Sequence, residues 1–158
     1  RWRWPWPATP KGDRMLIHLP ESVIALVFYA LWAIALVLMI AIDRMLLIFR
    51  GQVKNNEFLS GVPHGNESYW RINRAQMNTV ENLPIFAVIV LAAWIAGSES
   101  HLFNLLAMVV LVARIVQSII HILSGDQIAT WFRTGMFAVQ IVCEIWMAVM
   151  ILQAAGVV

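Results

Sequence analysis

The chain has 158 residues, of which 61% are hydrophobic and 13% charged, and its mean hydropathy is +0.74. Soluble globular domains carry about 25% charged residues, so this composition excludes an ordinary soluble domain and predicts an integral membrane protein. The formal net charge of +2 gives no indication of a nucleic-acid partner.

The chain opens with a segment that is rich in tryptophan and arginine and interrupted by prolines. Trp2, Trp4 and Trp6 alternate here with arginine and proline. Trp and Arg side chains favour the headgroup level of a lipid bilayer, and proline prevents a regular helix. We therefore predict an interfacial N-terminal arm over residues 1–19 that contacts membrane lipid. Docking of this arm onto a larger membrane-protein complex is the alternative interpretation.

Four apolar segments follow, and each meets or approaches the roughly 20 residues that cross a hydrocarbon core. They cover residues 23–49, 83–97, 102–123 and 128–154. The second segment is short, so its helix is expected to begin near Ser68 with a polar lead-in. The pattern predicts a single domain over residues 20–158, an all-α integral membrane protein built as a four-transmembrane-helix bundle.

Four spans place both chain termini on one side of the membrane and the two odd-numbered loops on the other. The terminal side carries Arg1, Arg3, Lys11 and Arg14, whereas the loop side carries Arg44, Arg50, Lys54, Arg71, Arg74 and Arg133. Lysine and arginine are enriched in cytoplasmic segments, so the odd loops are predicted to face the cytoplasm.

The histidines are scattered along the chain and Cys143 is its single cysteine, so the sequence predicts no metal site.

Polar residues of the second segment form a ladder that leads into the membrane. Arg74, Asn78 and Glu81 are spaced i, i+4 and i+7 and therefore share one helix face. A cation, an amide and a carboxylate on one face suit a zwitterionic ligand that carries carboxylates and an amine. Interhelical salt bridges that hold a bundle together are the alternative, and the spacing does not choose between the two.

Two further polar stripes lie on single faces of the third and fourth segments. They comprise Arg114, Gln117 and His121 in the third segment and Arg133, Gln140 and Glu144 in the fourth. A guanidinium as deep in the membrane as that of Arg114 requires a carboxylate partner. We predict that Glu81 supplies it and that the two residues form a buried pair within one protomer. Glu144 is the alternative partner.

The motif in residues 71–86 resembles the second-helix signature of the membrane-associated proteins in eicosanoid and glutathione metabolism, the MAPEG superfamily. It reads Arg71-x-x-Arg74-Ala75-Gln76-x-Asn78-x-x-Glu81-x-x-Pro84-x-Phe86. Ala113-Arg114 and Arg133-Thr134-x-x-Phe137 are similar to later motifs of the family. The resemblance covers roughly residues 31–149. It implies a homotrimer of four-helix protomers that binds glutathione in clefts between neighbouring subunits.

The resemblance also implies which residues serve the site. Arg133 is expected to be the catalytic residue that stabilises the thiolate of glutathione, the co-substrate. The residues expected to bind glutathione are Arg74, Gln76, Asn78, Glu81, Gln117 and His121, with Arg50 and Lys54 as additional cations. Family enzymes carry one or two tyrosines where this chain has Gln117 and His121. Activation of the thiol is therefore expected to depend on Arg133, and His121 is the second residue that could take part in it.

Two classes of function remain open from the sequence. The first is a glutathione-dependent transferase or peroxidase that acts on lipophilic electrophiles entering from the bilayer. The second is a non-catalytic MAPEG-like subunit with a structural or assembly role in a larger membrane complex. The absent tyrosines, the N-terminal arm and the unassigned Glu144 motivate this second class. A small-molecule carrier is a further alternative.

Overall fold

The computed structural model describes residues 18–54 and 67–157. They form four helices, α1 (Glu21–Phe49), α2 (Glu67–Ala96), α3 (His101–Leu123) and α4 (Gln127–Ala154). Each is long and apolar enough to cross a membrane, so the predicted all-α architecture with four membrane-spanning helices is confirmed. The predicted N-terminal arm, except for its last two residues, lies outside the described residues.

The polar lead-in and the apolar run of the second segment are one continuous helix. This helix, α2, begins at Glu67, one residue before the predicted start, and continues through Pro84 to Ala96. The ladder of polar residues therefore has the helical spacing that the sequence predicted. It lies in the first half of α2, between the helix start and Pro84.

The turn between α2 and α3 is short because both helix ends are capped locally. Gly97 has a φ of +62°, in the left-handed region that glycine adopts without strain, and the amide of Ser98 donates to the carbonyl of Ala93 at 3.0 Å. The Ser100 hydroxyl accepts a hydrogen bond from the amide of Phe103 at 3.2 Å and so begins α3. Helix α3 can therefore return through the bundle directly beside α2.

At the opposite end of the bundle, Arg71 fastens the start of α2 to the end of α3. Its Nε donates to the carbonyl of Ile122 at 3.1 Å, and its Nη1 lies 2.8 Å from Glu67 Oε1. The guanidinium thus satisfies a carbonyl in the last turn of α3 that has no partner within the helix. Arg71 therefore joins α2 to α3 at this end of the bundle.

The centre of the bundle is organised around Tyr29 of α1, which is fully buried. Its ring lies 5.4 Å from that of Phe86 on α2, and its hydroxyl donates to the carbonyl of Thr79 at 3.4 Å. The guanidinium carbon of Arg114 on α3 lies 5.8 Å from the centroid of the same ring. Aromatic packing and a cation–π contact therefore join three helices at one side chain.

The predicted pair between Glu81 and Arg114 is wrong. Both residues are described, but Glu81 is exposed on α2, whereas Arg114 is buried with 1% of its surface accessible. The contact that the structure gives Arg114 is with the Tyr29 ring of α1, because α3 turns its side chain into the bundle and away from the outer face of α2. Glu144 on α4, the alternative partner, is also buried, with 3% of its surface accessible, and its charge favours that of Arg114, but the two described side chains form no ion pair.

Arg114 and Glu144 attract each other without a direct hydrogen bond. Nε and Nη2 of Arg114 and both carboxylate oxygens of Glu144 are buried and have no hydrogen-bond partner among the described residues. The Tyr29 ring and the charge of Glu144 both favour the charged state of Arg114, in surroundings where an uncompensated charge is costly.

The outer faces of the helices are apolar and accessible. In each helix, no more than 39% of the residues in the most apolar stretch of 18 residues are buried inside the protomer. The accessible side chains include Val88, Ile95 and Phe132. Such faces suit contact with lipid or with other membrane helices.

We predict that Arg114 and Glu144 depend on each other for stability. Glu144→Gln should lower the free energy of unfolding by about 3 kcal/mol, because it leaves a guanidinium buried without a counter-charge. The double variant Arg114→Met/Glu144→Met should recover most of this loss. Thermal unfolding of the protein in detergent measures both effects.

The control is Glu21→Gln: Glu21 is exposed in the first turn of α1, so loss of its charge should cost less than about 1 kcal/mol. A double variant that loses the sum of the two single losses would contradict the coupling.

Candidate functional site

A polar cavity of about 260 Å³ opens at the end of the bundle where α2 begins, α3 ends and α4 begins. Three helices contribute to it, and none of its lining residues comes from α1. Its walls are formed by Arg74, Asn78, Gln117, His121, Thr130, Arg133, Thr134 and Phe137. The cavity lies just below the roughly 300–1,000 Å³ typical of small-molecule sites, so one protomer encloses only part of a ligand the size of a tripeptide.

Arg133 is the half-buried cation of this cavity, and two side chains hold its guanidinium. Nη2 donates to the hydroxyl of Thr130, one turn earlier on α4, at 2.8 Å. Nη1 contacts Nδ1 of His121 on α3. A long arginine side chain is free to adopt many rotamers, and these two acceptors fix one of them beside the cavity.

Gln117 fixes the backbone of Arg133 from the α3 side. Its Nε2 donates to the carbonyl oxygen of Arg133 at 3.1 Å, and its Oε1 accepts a hydrogen bond from Nε2 of Gln140 at 3.2 Å. Gln140 is fully buried and also donates to the carbonyl of Met136 at 3.0 Å. Because both ends of the Gln117 amide are engaged, its orientation in the cavity wall is set by α4.

The side chains that line the cavity favour an anionic ligand. Arg74 on α2 and Arg133 on α4 both line it, and none of its lining residues, all of which are described, is an aspartate or glutamate. The remaining lining groups are amides, hydroxyls, one imidazole and one phenyl ring. Guanidinium groups bind carboxylates, phosphates and thiolates through charge-assisted hydrogen bonds, and neutral amides and hydroxyls orient them.

The fold brings five of the predicted site residues to one cavity and leaves four outside it. Those inside are Arg74, Asn78, Gln117, His121 and Arg133. Gln76 is two residues beyond Arg74 and therefore on another side of α2, and Glu81 is exposed further along that helix. Arg50 and Lys54 lie at and beyond the end of α1, on the exposed surface. A role of these four residues in ligand binding stays a prediction.

Sequence reasoning assigned no role to Thr130, Thr134, Phe137 and Gln140, which line or support the cavity. Three of them flank Arg133 at positions i−3, i+4 and i+7 of the same helix. A helical wheel drawn from Arg133 places these three on its face of the helix.

Within residues 18–54 and 67–157, no group of three or more His, Cys, Asp or Glu side chains could hold a metal ion.

Comparison with known proteins identifies the family. A family model described as the MAPEG family matches residues 22–153, a range that includes every residue lining the cavity. No curated protein matches the sequence. The family match extends over most of the chain and over all four spans. The chain therefore belongs to the MAPEG family and is a multi-pass membrane protein.

Proposed function

We propose that this protein binds glutathione in the polar cavity and presents its thiolate to a lipophilic electrophile, as a membrane-bound glutathione transferase or peroxidase. The observation that carries this proposal is the guanidinium of Arg133, which is fixed at a cavity wall that holds a second guanidinium and no carboxylate. Membership of the MAPEG family supports glutathione as the anion.

The cavity offers separate partners for the parts of the tripeptide. Arg74 suits a glutathione carboxylate, and the Asn78 amide one turn later can donate to and accept from the peptide backbone. Arg133 is then left for the sulfur atom. Phe137 forms an apolar part of the wall on α4, in keeping with entry of the second substrate from the bilayer.

The energetic requirement on Arg133 is moderate. A thiol with a pKa near 8.5 is mostly protonated at neutral pH, and lowering this pKa by about two units requires about 2.7 kcal/mol of preferential stabilisation of the anion. A positioned guanidinium in a site with restricted water can supply this amount. The thiol proton leaves to solvent through the open end of the cavity.

The reaction then follows the chemistry of the thiolate. With an epoxide, sulfur forms a bond to carbon, the carbon–oxygen bond breaks, and the released alkoxide takes a proton from water. With a lipid hydroperoxide, two glutathione molecules are oxidised to the disulfide while the hydroperoxide is reduced to an alcohol and water. Neither reaction requires a metal or a nicotinamide. The apolar helix faces beside the cavity suit such electrophiles.

A second copy of the chain would complete the site. Arg74, Asn78 and Glu81 are exposed on one protomer although they belong to a helix that crosses the membrane, where lipid offers no polar partner. We therefore propose that a neighbouring subunit covers this stripe, in a homotrimer as the family implies. The cavity then opens at the side of the odd loops, which the lysine and arginine distribution predicts to face the cytoplasm.

We predict that Arg133 controls the state of the thiol more than the binding of the tripeptide. Glutathione added to the purified protein at neutral pH should show the ultraviolet absorbance of a thiolate. Arg133→Gln should abolish this absorbance, while the dissociation constant measured by calorimetry should rise by less than about tenfold, because Arg74 and Asn78 remain.

The control is Glu21→Gln, which removes a charge at the exposed start of α1, outside the cavity, and should preserve the absorbance. Binding without a thiolate signal in the unaltered protein would contradict thiol activation. Absence of binding would favour the non-catalytic subunit of a larger complex.

We also predict that the protein is an oligomer in mild detergent. Native mass spectrometry should give a dominant species with three times the mass of the protomer. A spectrum that contains only monomers would contradict the intersubunit site, because the polar stripe of α2 would then have no cover.

A further inference from the structure

His121 makes a contact that defines its chemical state. It is 6% exposed, near the end of α3, and its Nδ1 faces Nη1 of Arg133. An arginine nitrogen can only donate, so Nδ1 must be the acceptor and must carry a lone pair. The neutral tautomer with its hydrogen on Nε2 is the form of the ring that suits this contact.

We propose that His121 is a positioning residue for Arg133, which it holds at the cavity wall as a neutral hydrogen-bond acceptor with its proton on Nε2. The role of this position differs from that of the tyrosine that the family resemblance places there. A phenol can donate a hydrogen bond to the sulfur of glutathione itself. Nδ1 of His121 instead faces the guanidinium of Arg133, and we propose that this guanidinium stabilises the thiolate.

The groups around His121 make its neutral state a requirement of the contact. The charged groups that act on the ring are Arg133 from α4 and Arg74 and Arg71 from α2, and all three are cations. Protonation of Nδ1 would remove the acceptor and add a fourth positive charge. The guanidinium of Arg133 would then keep its bond to Thr130 but lose its partner on α3.

Two anchors on α3 thus hold Arg133 from different sides. Gln117 binds its backbone carbonyl, and His121, one turn later on the same helix, binds its guanidinium. With the backbone fixed and one guanidinium nitrogen held, the remaining freedom of the side chain is small. Arg133 can stabilise the thiolate only when its guanidinium lies beside the sulfur atom. Because His121 holds the guanidinium in place, it would affect the thiolate without contacting it. This consequence, unlike the contact itself, rests on the proposed glutathione-dependent function.

The tautomer can be tested without glutathione. Nitrogen NMR of the full chain, labelled at histidine and reconstituted in lipid nanodiscs at neutral pH, reports the protonation of each ring nitrogen, and His121→Asn identifies the signal of His121. We expect a neutral ring with hydrogen on Nε2 and a shift of the Nδ1 resonance in Arg133→Gln. A ring with hydrogen on Nδ1, or a charged ring, would overturn the proposal.

Two substitutions of His121 distinguish its role as a hydrogen-bond acceptor from the packing of its ring. The Oδ1 atom of asparagine lies close to the place of Nδ1 and cannot be protonated near neutral pH, whereas leucine has no acceptor. His121→Leu should reduce the acid dissociation constant of bound glutathione by about tenfold, the effect of losing one charge-assisted hydrogen bond, and so lower the thiolate fraction at neutral pH by about threefold. His121→Asn should retain the thiolate. His101→Asn, at the exposed first position of α3, is the matched control and should behave as the unaltered protein.

The pH profile adds a readout that a purely structural role would not change. Burial and the cations Arg133, Arg74 and Arg71 disfavour a charged His121 ring, so the ring should stay neutral while the thiolate takes up its proton. On acidification, the thiolate absorbance of the unaltered protein and of His121→Asn should therefore fall with the same midpoint, whereas that of His121→Leu should fall at a higher pH. A charge on His121 that steepens the profile of the unaltered protein, or an asparagine variant whose midpoint matches that of the leucine variant, would overturn the proposal. If the unaltered protein shows no thiolate, the proposed function fails, and the tautomer measurement still decides whether His121 positions Arg133.

Discussion

Lipid offers no hydrogen bonds, so every polar side chain of a membrane-spanning helix needs a partner inside the protein. In this bundle, the residues of the α3 and α4 stripes that lie nearest the cavity meet that requirement by bonding to each other. Gln140 donates to Gln117, and Gln117 donates to the backbone of Arg133. The position of Arg133, and with it the cationic character of the cavity, depends on these hydrogen bonds between two helices.

The polar residues divide into a deep layer and a layer at the cavity. In the deep layer, Arg114 packs against the Tyr29 ring, and Glu144 is buried on α4. In the cavity layer, Arg133 is exposed enough to meet a ligand. Gln140, which lies between Arg133 and Glu144 on α4, marks the boundary between the two layers. This arrangement gives Glu144 a place in the core and removes one of the reasons for regarding the protein as a non-catalytic subunit.

The sequence was sufficient for features that depend on local pattern. Apolar length predicted the four spans, and helical spacing predicted that Arg74 and Asn78 share a face. It was insufficient where helices had to be oriented against each other. The choice between Glu81 and Glu144 as the partner of Arg114 depends on the rotation of α2 and α4 about their axes, which periodicity within one helix cannot give. For the same reason, the contact of His121 with Arg133 could not be predicted.

The central claim is that Arg133 meets the sulfur of glutathione. A structure of the lipid-reconstituted protein with glutathione, determined by electron cryomicroscopy, tests it directly. The account predicts ligand density in the cavity between α2 and α4, with the sulfur atom within hydrogen-bond distance of a guanidinium nitrogen of Arg133 and a carboxylate at Arg74. Glutathione bound elsewhere, or bound here with its sulfur directed away from Arg133, would contradict it.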